Sequence, residues 1–311
     1  MSAPADYGTP ELTISHPRQA RLMRLATILA MIVAAALVLI KFATWQISGS
    51  LSMLSSLIDS VLDVGMSAMN FFAVRAALIP ADRDHRFGHG KAEALAALAQ
   101  SLFIVISSFW LLLESAQRVM IPHPIQHETW SMAAMAVSIV MTQGLVMFQN
   151  YVVMKTGSVA IAADRLHYKT DTAINFSVLL AIGLIWQTGL LWIDAVLAAV
   201  VAMYLVWCGR SILGMAMDVL LDRELPEPLR EKIVAIIESD PDIAGFHDLR
   251  TRMAGPNYFI QFHLEMNPEL TLAQAHHIAD RIENAISQVM PNAQISIHQE
   301  PAGINDPRDN F

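Results

Sequence analysis

Two pairs of residues stand out for the chemistry their types and spacing allow. Asp59 and Asp63 are four positions apart, and so are His167 and Asp171. Residues four apart on a helix share one face, so each pair offers two metal-ligating side chains on one side of its own element. Together they supply three carboxylates and one imidazole. An oxygen-and-nitrogen set of four suits a tetrahedrally bound cation such as Zn2+. Both pairs lie in apolar surroundings, where ionisable groups are costly and usually functional.

The elements that would carry them are membrane helices. A spanning helix needs about 20 predominantly apolar residues. Six segments qualify: about Leu22 to Ile47, Leu51 to Leu78, Ala92 to Val119, Trp130 to Met154, Val159 to Trp186 and Leu190 to Leu213. The fifth starts unusually polar, with Asp164, Arg165, His167, Lys169 and Asp171. At about 1.5 Å per residue, Asp59 and Asp63 fall roughly 12–18 Å from the outer end of the second helix. His167 and Asp171 fall roughly 14–20 Å from the inner end of the fifth, which runs the opposite way. In a hydrocarbon core about 30 Å thick, both pairs then sit near the midplane. The competing reading is a water-lined cavity, or ion pairs made in helix packing. No Lys or Arg occurs from Thr44 to Val74, but Lys169 and Arg165 could pair across helices.

Loop charge sets the expected topology. Arg18, Arg21 and Arg24 flank the first helix; Arg75, Arg83, Arg86 and Lys91 surround the second connection; Lys155 precedes the fifth helix; Arg210 and Arg223 follow the sixth. The other connections are nearly free of basic residues, Arg118 excepted. Both termini are therefore expected in the cytoplasm.

Composition agrees with this division. Of 311 residues, 54% are hydrophobic and only 15% charged, against about 25% charged in soluble domains. The deficit lies in the first two thirds. The net charge of −8 argues against nucleic acid as a partner and is compatible with cations. A single cysteine, Cys208, excludes an internal disulfide framework and a cysteine-rich zinc site. The polar stretch Met1 to Pro17 does not read as a cleavable signal.

After Asp222 the pattern becomes that of a small soluble domain. Glu227 to Ser239 reads as a helix and Phe246 to Met253 as a strand. Tyr258 to Met266 alternates with period two, Tyr258, Ile260, Phe262, Leu264 and Met266 on one face and Phe259, Gln261, His263 and Glu265 on the other, as a half-buried strand does. Thr271 to Met290 reads as a helix and Gln294 to Gln299 as a last strand. The expected fold class is an α-helical membrane protein with six transmembrane helices plus a small α+β (αββαβ) domain. The expected boundaries are a tail over 1–20, a transport domain over 21–214, a linker over 215–223, a metal-binding and dimerisation domain over 224–301 and a tail over 302–311.

The runs Asp59-Ser-Val-Leu-Asp63 and His167-Tyr-Lys-Thr-Asp171 resemble the transport-site motifs of the cation diffusion facilitators. The segment from Pro80 to Glu93 resembles the loop between the second and third helices of that family, and His247-Asp-Leu-Arg250 resembles a motif of its soluble domain. The resemblance runs from about Arg21 to Pro301 and is nearest a bacterial branch described for zinc and ferrous iron. It implies a homodimeric exporter in the bacterial inner membrane. Such an exporter would exchange a divalent cation, Zn2+ or else Cd2+ or Fe2+, for protons, and would carry a cytoplasmic ferredoxin-like, metallochaperone-like domain. Residue by residue it implies three further assignments. Asp82, His85 and His89 would form a loop metal site, although so short a cluster is otherwise read as solvated. His247, His263, His276 and His298 would form a two-zinc cytoplasmic site. Glu300 stands where the family has Asp, which puts the geometry there in question. Lys91 and Asp222 would make a charge pair between the third helix and the end of the sixth.

Three function classes are thus in play. In a transporter, metal needs deprotonated ligands, so loading releases protons and protonation releases metal. A membrane-anchored metal sensor would account for the soluble domain but not for mid-membrane acids. A channel could use acidic rings, but four strong ligands would hold a transition metal too long. No nucleophile–base pair suggests an enzyme.

Overall fold

The computed structural model describes residues 16–48, 51–120 and 129–303. The expected tails before residue 16 and after 303, and the third connection, lie outside the described residues. Six long helices come first: α1 (His16–Ser48), α2 (Leu51–Ala77), α3 (Ala92–Met120), α4 (Thr129–Thr156), α5 (Val159–Thr188) and α6 (Trp192–Leu220). Five of them are long and apolar enough to cross a membrane. The exception is α5. It is as long as the others, at 30 residues, but carries Asp164, Arg165, Lys169 and Asp171 in its first half. The expectation of six spans therefore meets five helices that satisfy it by composition.

The position of α5 accounts for its charge. It packs against α3, α4 and α6, and its first ten residues are buried except Arg165. A helix surrounded by other helices can keep polar groups that a lipid-facing one cannot. Its ends are well defined. Ser158 caps the start, accepting the Ile161 N–H, and Gly189 closes the end at φ 72°, a left-handed turn that glycine enters without steric cost. The strongest pairing elsewhere is α3 on α6, with small residues Ala94, Ala97 and Ala216 at the seam. α6 continues to Leu220, past the expected edge at Leu213, because Ala216 and Val219 still pack against α3 and α5.

Beyond α6 the chain forms α7 (Glu227–Glu238), β1 (Ile243–Ala254), β2 (Asn257–Met266), α8 (Leu272–Val289) and β3 (Ala293–Pro301). The sheet order is β1-β2-β3, with β1 antiparallel and β3 parallel to β2. Ile260, Phe262 and Leu264 of β2 pack on Leu229, Ile233 and Ile237 of α7 and on Ile278, Ile282 and Ile286 of α8. Burying each such side chain contributes about 1.5–3 kcal/mol, so this helix-covered face, and not the histidine face, holds the domain together. Thr271 caps α8 in a capping box with Gln274.

The two parts touch where the loop before α3 meets the β1–β2 turn. A side chain on Gly90 would place its first carbon 2.1 Å from the Ala254 carbonyl oxygen, so the backbones meet with nothing between them. Beside that contact, the Arg252 guanidinium lies 5.0 Å from the Phe87 ring centre and 4.4 Å from that of Phe259. This explains why Phe259, on the polar face of β2, is buried. At the other edge, Asn292 donates to Gln19 of α1 at 2.9 Å.

Candidate metal sites

In the helical part, α2 brings Asp63 and α5 brings His167 and Asp171 to one point. The Nε2 of His167 is 3.1 Å from Asp63 Oδ1 and 3.8 Å from Asp171 Oδ2, and ligand atoms of all three lie within 4.8 Å of one another. His167 is buried and the carboxylates are partly so. Asp59 does not join this set. One turn from Asp63, it is exposed, and Lys41 of α1 reaches the same region, donating to the Ser56 carbonyl at 3.1 Å. The structure thus gathers three of the four expected residues. The shared face of α2 brings Asp59 and Asp63 to one side, but α5 converges on α2 only at the second of them. Lys41 has no spacing signal in the sequence, because it reaches α2 from α1 only through helix packing.

In the loop between α2 and α3, all three expected residues meet. Asp82 accepts the backbone N–H groups of His85 at 2.6 Å and Asp84 at 2.9 Å. Its carboxylate lies 3.5 Å from His85 Nδ1 and 3.4 Å from His89 Nε2. The His85 N–H, the largest influence, holds the Asp82 carboxyl below its ordinary range, helped by the Asp84 N–H against some desolvation. A carboxylate kept ionised next to two imidazoles has the donor chemistry of a cation site.

In the α+β domain, strand register makes the site. β1 pairs His247 with His263, and β3 pairs His298 with His263, so three imidazoles stand in a row across three strands. Their ring centres are 4.9 Å and 4.8 Å apart. A bulge in β1 opposes Asp248 and Leu249 to one residue of β2 and puts Asp248 at φ 51°. Two residues after His298, Glu300 lies on the same face. One of its oxygens is 2.8 Å from His263 Nδ1 and 3.2 Å from His298 Nε2, and the other is 3.5 Å from His247 Nε2. The longer glutamate stem therefore still centres a carboxylate among the three rings. Sequence reasoning missed Glu265, 2.9 Å from His247 Nδ1. The signal was available, since Glu265 alternates onto the face of His263. His276 is not brought in. It lies on α8, exposed and 3.5 Å from Asp280, and α8 packs on the opposite face of the sheet.

At the C-terminal end of α6 the structure brings Lys91 and Asp222 together and adds a third member. Lys91 Nζ is 2.9 Å from Asp222 Oδ1 and also reaches the Leu220 carbonyl. Arg252 lies 3.2 Å from the same oxygen. Desolvation pushes the Asp222 carboxyl up, but Lys91 and Arg252 together hold it below its ordinary value.

Residues 27–221 match the cation efflux transmembrane domain, and residues 225–302 match the cation efflux protein cytoplasmic domain. The cation-efflux pump FieF of Klebsiella pneumoniae subsp. pneumoniae is 44% identical over 284 residues, covering 91% of this chain and 94% of its own. The pump of the same name from Salmonella choleraesuis is similar to the same extent, 44% over 284 residues with the same coverage. Among solved structures, the metal-bound C-terminal domain of the CzcD transporter from Thermotoga maritima is 25% identical, covers 25% of this chain and 93% of its own, and has a TM-score of 0.25. Two adjoining domain matches and relatives alike over nearly their whole length lead to one conclusion: this chain belongs to the cation efflux family, the cation diffusion facilitators.

Proposed function

We propose that this protein exports a divalent metal cation, Zn2+ first among the candidates, across the bacterial inner membrane in exchange for protons. The coarser part, efflux of divalent cations by a multi-pass membrane protein, follows from the family and from relatives named as cation-efflux pumps. The observation that carries the rest is the meeting of Asp63, His167 and Asp171 within 4.8 Å on helices α2 and α5. Two carboxylates and an imidazole bind a transition metal only when deprotonated, so metal and protons compete for the same atoms. Asp59, one turn away, is the fourth ligand and swings in as the site changes its exposure. In this reading α5 is the sixth span, and both termini face the cytoplasm.

The chain works as a homodimer. His247, His263, His298 and Glu300 have the nitrogen and oxygen donors for resident Zn2+, and Glu300 already stands between the three rings. His276 lies across the sheet from them, so it serves that site only when offered by a second copy. Metal held between two such domains would favour their closed arrangement by its differential affinity and no more. The test is zinc uptake into vesicles holding the purified protein, with and without an imposed pH gradient. Uptake should follow the gradient and vanish in Asp63→Ala. Metal binding without any flux would favour a membrane-anchored sensor, and flux indifferent to pH would remove the exchange.

A further inference from the structure

The geometry points to a second stripe on α5, Asp164, Tyr168 and Thr172, as positioning residues that fix the rotation of α5 and so aim His167 and Asp171 at Asp63. The inference rests on the transport-site reading above. These three residues are four apart and share a face. Tyr168 and Thr172 each follow a proposed ligand by one residue, which puts their stripe about 100° around the helix from the ligand stripe.

Between them the three are tied to α1, α2, α3 and α4. The Asp164 carboxylate accepts from Gln100 Nε2 of α3 at 3.2 Å and from Gln149 Nε2 of α4 at 2.6 Å. The Tyr168 hydroxyl lies 2.7 Å from Ser67 Oγ of α2 and donates to the Ala30 carbonyl of α1 at 3.3 Å. A phenol has one proton, so toward Ser67 it is the acceptor. Thr172 Oγ1 lies 2.9 Å from Thr142 Oγ1 of α4. Asp164 and Tyr168 are both 0% exposed, and a buried polar group that loses its partner is heavily penalised. Turning α5 would strand the Asp164 carboxylate and the Tyr168 hydroxyl together and break the Thr172–Thr142 contact.

The Ser67–Tyr168 bond is the central tie. Ser67 is one turn beyond Asp63 on α2, and Tyr168 adjoins His167, so this bond is the next rung to the 3.1 Å Asp63–His167 contact. A turn of α5 by about 20° would move a side-chain tip at a radius of roughly 5–6 Å by about 2 Å. The tolerance of a functional metal site is about 0.5 Å. Tyr168 and Ser67 therefore act on metal through His167 and touch none themselves.

The experiment is zinc uptake against zinc concentration in vesicles holding the full chain, for Tyr168→Phe, Ser67→Ala and both together. Thermal unfolding of each metal-free protein in detergent runs alongside. Each single variant should raise KM about tenfold, the worth of a buried hydrogen bond, with maximal rate close to wild type and the unfolding midpoint lowered by only a few degrees. The double variant should be no worse than Tyr168→Phe, which already removes the bond to Ser67 along with that to Ala30. Preference for zinc over manganese should fall in step. Unchanged KM in both single variants overturns the inference. So does a loss confined to maximal rate with a lowered unfolding midpoint, since that marks packing alone. Asp63→Ala separates the two readings. If it abolishes flux while Tyr168→Phe matches wild type, only the positioning role fails; if it retains flux, the transport site itself falls.

Discussion

The membrane cluster and the cytoplasmic cluster use the same donor atoms but are built by opposite means. In the membrane, His167 and Asp171 come from one helix and meet Asp63 from another, in a site whose imidazole is 5% exposed. On the sheet, His247, His263 and His298 come from three strands, and the outermost, His298, is 62% exposed. Helical spacing sets two ligands four residues apart on one helix and meets a third from a distant helix, in a site shut away from water. Strand register takes its imidazoles one from each strand and leaves the site open to water. A charge in the first environment has to be balanced by cargo or by protons, whereas water screens the second. That contrast suits the first to moving an ion and the second to sensing it.

The comparison can be broken most sharply at the membrane site. Asp63→Ala and Asp171→Ala should each lower zinc flux by more than about 100-fold, beyond the usual cost of losing a group that merely supports a ligand. The zinc bound by the cytoplasmic domain should not change. If one substitution silenced both, the two sites would not be separate.

The sheet site gives the next largest effect. Residues 224–303, with their own apolar core, should fold alone and bind zinc. Glu300→Ala should weaken that binding about 10–100-fold, while Glu300→Asp should retain it. Isothermal titration reads both. Equal binding by wild type and His263→Ala/His298→Ala would leave the domain as a dimerisation surface only.

A smaller effect tests donor type. His167→Asp leaves an all-oxygen membrane set, which suits harder ions. Zinc-over-manganese preference in vesicle uptake should fall about tenfold, or about 1.4 kcal/mol. An unchanged ratio would deny His167 a place among the ligands.

The smallest effect belongs to neither site and serves as a control on the domain. Arg281 makes a two-pronged contact with Asp240, at 2.6 Å and 2.9 Å, which holds the Asp240 carboxyl below its ordinary value. A carboxyl depressed on folding adds stability above its unfolded pKa of about 3.9 and loses it as pH falls through the lower folded value. Asp240→Asn should therefore unfold a few degrees lower than wild type at pH 7, and the gap should close below about pH 3.9. A gap independent of pH would show that the contact acts by shape and not by charge.

What the sequence made legible follows the same division. The i,i+4 pairs, the apolar helices and the period-two strand at Tyr258 to Met266 depend on spacing along the chain, and spacing can be read directly. Lys41, Arg252 and Glu265 escaped because their roles depend on which element lies across from them. Asp59 shows the limit from the other side. Its spacing from Asp63 was right, but where a neighbouring helix converges is set by packing, which spacing does not encode. Phe259 looked like an apolar residue on the wrong face until Phe87 and Arg252 covered it.

The contact at Gly90 has a mechanical consequence. The cytoplasmic domain is not hung from α6 by a tether alone. It is pinned beneath the bundle at three places: Gly90 on Ala254, Arg252 and Lys91 on Asp222, and Asn292 on Gln19. Two of these fall at Gly90 and Lys91, just before α3 begins, so a tilt of the sheet would bear on the start of that helix as on a fulcrum. A methyl group at Gly90, 2.1 Å from the Ala254 oxygen, would be a wedge under that fulcrum. Gly90→Ala would pry open one of the three pins while leaving every proposed ligand in place.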